Sequence, residues 1–262
     1  MKLKLGIYVS LLKVMSKTTG VGKHTISMIH SLSLRENVEI FLFGSYEIKR
    51  SRDYVFQDLE FYSIPFKTRA LEISWKLFRY PYVDQYIPEV DAIYVPGEEL
   101  VCSKKYKIYF TIHDVYQFTE KTFSIRKYLL KKSYGRYLKD AFKVITVSNF
   151  SKNEIIDYFN LKSNDILVTG NGLGLDIENF KKIKSEIRMK NQILIGGPIH
   201  KKKGGDYILK LCDKLNLLHP SLKIFITGGI DKSYENKFQK LNLLNTKIFK
   251  KAELEDNELI NL

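Results

Sequence analysis

Cysteine is scarce: Cys102 and Cys212 are the only two in 262 residues. They lie far apart and form no CxxC pair. That pattern excludes a disulfide framework and a zinc site of the usual spacing, and it predicts buried free thiols in a reducing compartment. Long apolar runs are missing too, and none approaches the length that spans a bilayer. Lys13 interrupts the apolar start and no small-residue cleavage site follows it. The start therefore reads as a buried first strand rather than a signal peptide, and the expectation is a cytoplasmic protein. Acidic residues are outnumbered, 29 against 43 Lys and Arg, for a formal charge of +14. Such an excess attracts nucleic acid, an anionic membrane face or phosphate-bearing substrates, or reflects a lysine-rich proteome. The apolar fraction, 44%, is ordinary for a globular chain and speaks against global disorder.

Strand and helix signals alternate along most of the length. Strands are expected at Lys4–Leu11, Val38–Phe43, Glu60–Ser63, Ala92–Val95, Lys107–Ile112, Val144–Val147 and Asp165–Thr169. Helices are expected at Val21–Leu34, Leu71–Pro81 (with exposed aromatics), Ser124–Ala141 and Ser151–Phe159, the last capped by Ser148. A polar, Lys-rich stretch follows, and the pattern then restarts. Strands at Gln192–Ile195, Leu222–Ile226 and Lys247–Phe249 alternate with helices at Asp206–Leu218 and Lys232–Leu241. Alternation of this kind implies a mostly parallel sheet with helices on both faces. The expected fold class is α/β, with two Rossmann-like, doubly wound domains: residues 1–178, a linker at 179–191, and 192–262. Three strands make the second domain thin, so it reads as incomplete.

In open α/β sheets ligands bind beyond the carboxyl ends of the strands. After the first strand comes Gly20-Val21-Gly22-Lys23-His24, running into a helix. Glycines there let backbone approach a ligand, and a helix N-terminus favours anions. Lys17 and His24 stand where a P-loop needs Gly and Ser or Thr, so this is not that motif. His113-Asp114 follows the Lys107–Ile112 strand, where a histidine can hydrogen-bond a hydroxyl or move a proton. The bland reading is a structural histidine beside a turn aspartate. After Gln192–Ile195 comes a loop with Gly197, Lys201, Lys202, Lys203 and Gly204 ahead of a helix, a combination suited to a diphosphate or, more plainly, a solvated charged turn.

The order and spacing of these pieces resemble the family 4 glycosyltransferases of the GT-B fold. The likeness rests on Gly20-Val21-Gly22, on Thr111-Ile112-His113-Asp114-Val115, and on Ile145-Thr146-Val147-Ser148-Asn149-Phe150-Ser151, which is similar to the family's "TVSxxS" segment. It also rests on Asn171-Gly172, on Gly197 through Asp206 as the donor-phosphate loop, and on Phe225-Ile226-Thr227-Gly228-Gly229. The resemblance implies a nucleotide-diphosphate sugar as donor substrate, bound mainly by the second domain in an interdomain cleft. It implies transfer with retained configuration to an acceptor held mainly by the first domain, with no cofactor and no metal. Carried over, His113 and Asp114 are the catalytic candidates. Gly20, Gly22, Gly197, Lys202, Lys203, Gly204 and Gly228 are the donor and phosphate candidates.

Two departures stand out. Pro198 occupies the place of the family's arginine, which grips phosphate with a planar fork of donors that proline lacks. The family's C-terminal Glu-x7-Glu element has no counterpart; Glu178 and Glu186 share its spacing but sit in the linker without a glycine turn. These departures predict a C-terminally truncated member, and an inactive sugar- or nucleotide-binding remnant is the alternative.

Two stretches mix basic and aromatic residues. One is Ser124–Lys143, with Arg126, Lys127, Lys131, Lys132, Arg136 and Lys139 among Tyr128, Tyr134 and Tyr137. The other holds Trp75, Phe78, Tyr80, Tyr82 and Tyr86 with Lys76 and Arg79. They raise the expectation of peripheral contact with an anionic membrane and of a glycan or lipid-linked acceptor in cell-surface polysaccharide synthesis. Against this stands ordinary packing of each apolar side on the sheet. A basic nucleic-acid-binding protein is the other alternative, and no RRM, KH, OB or helix-turn-helix pattern supports specific nucleic-acid binding.

Overall fold

The computed structural model describes residues 2–10, 20–50, 56, 58–119, 125–172, 191–240 and 246–249. The chain divides into two compact units, Met1–Gly174 and Leu175–Leu262. Thr18, Thr19, Glu178, Glu186 and linker residues 179–190 lie outside the described residues, as does the segment after Phe249.

The first unit is built on seven strands: β1 (Leu3–Tyr8), β2 (Val38–Ser45), β3 (Phe61–Ile64), β4 (Ala92–Val95), β5 (Lys107–Thr111), β6 (Lys143–Thr146) and β7 (Ile166–Val168). Their order is β3-β2-β1-β4-β5-β6-β7, and every pairing is parallel. The order reverses between β1 and β4, which are neighbours though distant in sequence; in register, Ile7 faces Tyr94. A doubly wound sheet opens its ligand crevice at such a reversal.

Alternation along the strands sorts side chains onto two faces. Ile7, Val9, Ile40 and Leu42 pack with Ile29 of the Gly20–Ser33 helix. Tyr8, Phe41, Phe43, Ile93 and Val95 point the other way, into a larger cluster with Trp75, Tyr134, Tyr137, Ile155 and Phe159. Those partners come from the helices Thr68–Phe78, Ile125–Asp140 and Asn149–Phe159. Each fully buried aliphatic side chain contributes about 1.5–3 kcal/mol, so the register that keeps this sorting is strongly preferred over a one-residue slip.

The Thr68–Phe78 helix corrects one expectation. Trp75 is not an exposed aromatic: it is fully buried, and its indole N–H donates to the Pro81 carbonyl at 2.7 Å. Tyr137 donates to the Trp75 carbonyl at 2.6 Å, and the Cys102 thiol, 2.7 Å from the Tyr137 oxygen, completes the chain. One phenol carries one proton, so the thiol is the donor in that last link. Burial pushes the Cys102 thiol up to about 11. Phe78 and Tyr80 do remain exposed. The helix stops at Arg79, whose left-handed backbone (φ 57°) turns the chain and whose guanidinium pairs with Asp140 at 2.5 Å.

The second unit carries β8 (Gln192–Ile195), β9 (Lys223–Thr227) and β10 (Thr246–Phe249), parallel in the order β10-β9-β8. The Gly205–Leu218 and Lys232–Lys240 helices supply Leu209, Cys212, Tyr234 and Phe238 to a core that also holds Ile199, Ile224 and Ile226. Both units are thus α/β with parallel sheets, as the alternation of signals predicts. Among the described residues the second unit has three strands.

Candidate functional site

The carboxyl edge of the first sheet gathers most of the sequence candidates. β5 ends at Thr111, and Ile112 leads directly to His113 and Asp114. Two buried hydroxyls hold this corner. Thr146 donates to the Ile112 carbonyl at 2.7 Å, and Ser151 donates to the His113 carbonyl at 3.1 Å. The Ser148 side chain caps the next helix by accepting the Ser151 N–H at 3.1 Å, so the serine-rich segment fixes both a helix start and the histidine's backbone.

His113 is half-buried, and its Nε2 lies 3.2 Å from the Pro96 carbonyl at the end of β4. A carbonyl only accepts, so Nε2 carries a proton in this contact. The Asp114 carboxylate accepts the Tyr116 N–H at 2.9 Å and opens the short helical turn Tyr116–Thr119. Asp114 therefore has a turn-forming role independent of any chemistry.

Gly20 begins the helix after β1, and Gly22 is buried within its first turn. A side-chain carbon placed on Gly20 would meet nothing within 4 Å among the described residues. The same helix brings His24 against His113, with ring centroids 4.8 Å apart. Gly20, Gly22, His113 and Asp114 thus share one edge of one unit.

Sequence reasoning passed over two residues at that edge. The hydroxyls of Tyr8 and Ser10, at the end of β1, are buried and have no hydrogen-bond partner among the described residues. An unsatisfied buried hydroxyl costs about 1–3 kcal/mol and calls for an explanation. Burial, then the carboxylates of Glu99 and Glu72, hold the Tyr8 phenol well above its usual pKa, so it stays a neutral donor. The signal in the sequence was a polar alternation, Tyr8 and Ser10, at the carboxyl end of an otherwise apolar strand.

In the second unit, Gly197 and Gly228 follow the adjacent strands β8 and β9 and meet backbone to backbone. A side-chain carbon on Gly228 would lie 2.8 Å from the Gly197 carbonyl carbon, and Gly228 has φ of 102°. Lys201–Lys203 form a single 3-10 turn rather than a flexible loop, and Gly204 (φ 72°) converts it into the Gly205–Leu218 helix. The turn is held from within. The N–H groups of Lys203 and Gly205 donate to the His200 carbonyl, and that of Gly204 to Lys201. Those amides are spent within the turn, and the side chains of Lys201, Lys202 and Lys203 stand exposed at this helix start. Gly197, Lys202, Lys203, Gly204 and Gly228 therefore lie at the same edge of the second sheet.

A family model described as Glycosyltransferase Family 4 matches residues 18–176. No curated protein matches the chain. Among solved structures, HepE of Anabaena in complex with UDP is similar at 16% identity and a TM-score of 0.51, over 95% of this chain and 69% of that one. TarM of S. aureus, solved with fondaparinux, alpha-GlcNAc-glycerol and UDP, gives 12% identity and a TM-score of 0.53 over 95% and 77%. The catalytic domain of starch synthase IV from Arabidopsis thaliana, bound to ADP and acarbose, gives 11% and 0.57 over 99% and 76%. At these identities the structures show the fold, which is GT-B-like, and the family model covers more than half of the sequence. The chain belongs to glycosyltransferase family 4.

Proposed function

We propose that the chain transfers a sugar from a nucleoside-diphosphate sugar to a hydroxyl of a glycan or lipid-linked acceptor, with retained anomeric configuration, in cell-surface polysaccharide synthesis. The observation that carries the donor half is the lysine turn at a helix start, closed by Gly204 and flanked by the abutting Gly197 and Gly228. Negative charge develops on the leaving diphosphate, and fixed positive charge there lowers the barrier without reorganising. Lys203 and Lys202 supply it, and Lys201 or Lys202 substitutes for the arginine that Pro198 replaces. The structural neighbours crystallised with UDP or ADP support a nucleotide partner.

On the acceptor side, His113 stands at the carboxyl edge of the first sheet, its Nε2 held by the Pro96 carbonyl and its ring against the edge-on His24 ring. The reaction breaks the bond from the anomeric carbon to the diphosphate oxygen and forms one to the acceptor oxygen. The acceptor proton leaves with the diphosphate.

The test is a titration of UDP, GDP, ADP and CMP against the full chain, read as thermal stability, since a ligand of the native state stabilises by mass action. One diphosphate is expected to raise the melting temperature, and Lys203→Ala to weaken its binding by about 10–100-fold, the value of a charge-assisted hydrogen bond. No response to any nucleotide sinks the donor assignment.

Peripheral membrane contact at the inner face is part of the same reading. Of the Ile125–Asp140 helix, Tyr134, Tyr137 and Leu138 are buried in the core, which narrows the membrane-facing set. What remains is a shallow groove of about 360 Å³ lined by Tyr128, Lys131, Lys132, Arg136, Lys139 and Tyr158. Lys131 sits 3.9 Å over the Tyr158 ring, and Tyr128 and Leu129 stand exposed beside it. Cations with exposed apolar neighbours suit an anionic lipid surface. No described helix is long and apolar enough to cross a membrane. Failure to co-sediment with phosphatidylglycerol vesicles at low salt overturns this part alone.

A further inference from the structure

Two glycines close the lysine turn, and they are there for different reasons. Gly204 turns the chain with its φ of 72°. Gly205 has no positive φ; it is buried, and what it supplies is space. A side-chain carbon on Gly205 would lie 2.8 Å from two ring carbons of Tyr234 and 3.2 Å from the His200 carbonyl oxygen. A glycine at such a point lets another group come against the backbone. That group is the Tyr234 ring, 5% exposed and seated in the core of the second unit with Ile199, Leu209 and Cys212.

Tyr234 comes from the first turn of the Lys232–Lys240 helix, which follows β9. The start of that helix is built locally. The Asp231 carboxylate accepts the Ser233 N–H at 3.0 Å and the Ser233 hydroxyl at 2.9 Å, and the Asp231 carbonyl accepts the Tyr234 N–H at 2.8 Å. The same segment is stitched to the stretch ahead of the lysines. The Ile199 N–H donates to the Gly229 carbonyl at 2.9 Å, and the Ile199 carbonyl accepts the Asp231 N–H at 3.0 Å. Lys237 lies 4.9 Å over the Tyr234 ring and reaches the Asp206 carboxylate at 3.4 Å. Residues three apart share a helix face, so Tyr234 and Lys237 meet Gly205 and Asp206 side by side. The His200 carbonyl takes the N–H groups of both Lys203 and Gly205. The Tyr234 ring therefore abuts the residue that makes one of the two bonds closed on His200.

We propose that Tyr234 is a positioning residue for the donor site: its ring, seated against Gly205, fixes the lysine turn and so sets where Lys201, Lys202 and Lys203 meet a diphosphate. The inference rests on the donor reading for the word diphosphate, while the fixing of the turn is testable apart from it. The contact is made by ring carbons, so phenylalanine preserves it. Leucine fills the core but lacks the flat surface. A loosened turn spreads the lysines over more positions, and a charge already in place binds better than one that must first be ordered.

The experiment compares Tyr234→Phe, Tyr234→Leu and Gly205→Ala in the full chain. Amide hydrogen exchange reads the turn, and inorganic pyrophosphate reads the phosphate site without a base; UDP is a separate arm. Tyr234→Phe should match the parent protein in both measurements. Tyr234→Leu should speed exchange of the Lys203 and Gly205 amides by at least about tenfold over any change at Ile224 and Ile226 in β9. It should weaken pyrophosphate about 3–10-fold, the value of about one hydrogen bond. Gly205→Ala reaches the same contact from the other side and should do the same, so it decides the matter should Tyr234→Leu fail to fold. Adding Lys203→Ala to Tyr234→Leu should weaken pyrophosphate by less than Lys203→Ala does alone, because residues that act through one another are not additive. A residue with only a structural role would not show this. Exchange that rises equally at Ile224 and Ile226, unchanged pyrophosphate binding in the loosened variants, or additive losses overturn the proposal. Loosening confined to the turn, in a chain that binds neither pyrophosphate nor UDP, upholds the fixing of the turn and sinks the donor reading.

Discussion

The imidazoles of His24 and His113 meet edge to face, 4.8 Å between centroids with planes at 85°. They come from elements far apart in sequence, the helix after β1 and the turn after β5, and together they lock the histidine that closes the sheet edge. His113 is held on its other side by the Pro96 carbonyl. Losing the His24 ring contact loosens the orientation of the His113 ring. Misplacement on the order of 1 Å costs up to about 100-fold in turnover. His24→Ala is therefore expected to lower kcat about 10–100-fold with the KM for donor little changed, measured with the nucleotide sugar whose base the titration identifies. His24 is a positioning residue, so His24→Phe, which keeps an aromatic ring there, should recover part of the loss. Equal damage to KM and kcat would contradict this role.

Gly20 separates function from fold in one substitution. Among the described residues the space around it is open, and it starts a helix rather than sitting inside one. Gly20→Ala should leave thermal stability unchanged. If a ligand's phosphate or sugar comes against this backbone, the added methyl displaces it, and transfer falls at least tenfold in a chain that melts normally. Full transfer by a stable Gly20→Ala chain would remove Gly20 from the site.

Gly228 behaves in the opposite way. Its φ of 102° is closed to ordinary side chains, and a side-chain carbon there strikes the Gly197–Pro198 backbone at 2.8 and 2.9 Å. Strain of this type costs on the order of 1–3 kcal/mol before the clash is counted. Gly228→Ala should lower the urea midpoint of the second unit, followed by proteolysis within residues 191–240. Gly229→Ala, next door in open space, is the control that should change nothing.

The legible parts of this protein were those set by local chemistry. Ala92–Val95 and Gln192–Ile195 appear with the limits the sequence predicts, because Pro96-Gly97 and Gly196-Gly197 end them. The Ser148 cap was legible for the same reason. Trp75 was misjudged because its apolar neighbours Ile73, Leu77 and Phe78 are exposed. Only the turn at Arg79, which brings the Pro81 carbonyl back to the indole, shows which side of the helix is dry. The lysine turn was read as a loop because nothing in three lysines announces a 3-10 turn closed on the His200 carbonyl. The His24–His113 contact and the orphaned Tyr8 hydroxyl arise from strand order, and strand order is not a local property.

The two thiols give each unit its own alkaline signature. Cys102 in the first unit and Cys212 in the second are both buried, and burial pushes each to about 11. An unfolded thiol titrates near 8.5. Between those values the unfolded chain has lost the proton that the native chain keeps, so the unfolded state binds fewer protons and stability falls as pH rises. Stability should be flat in this respect below about pH 8 and decline up to about pH 11. Cys212→Ala should flatten the decline for the second unit only, and Cys102→Ala for the first. At neutral pH both thiols should resist iodoacetamide in the native chain and react on unfolding, since the thiolate is the nucleophile. Rapid labelling of either native thiol at pH 7 would mean that it is not held neutral and buried as this structure requires.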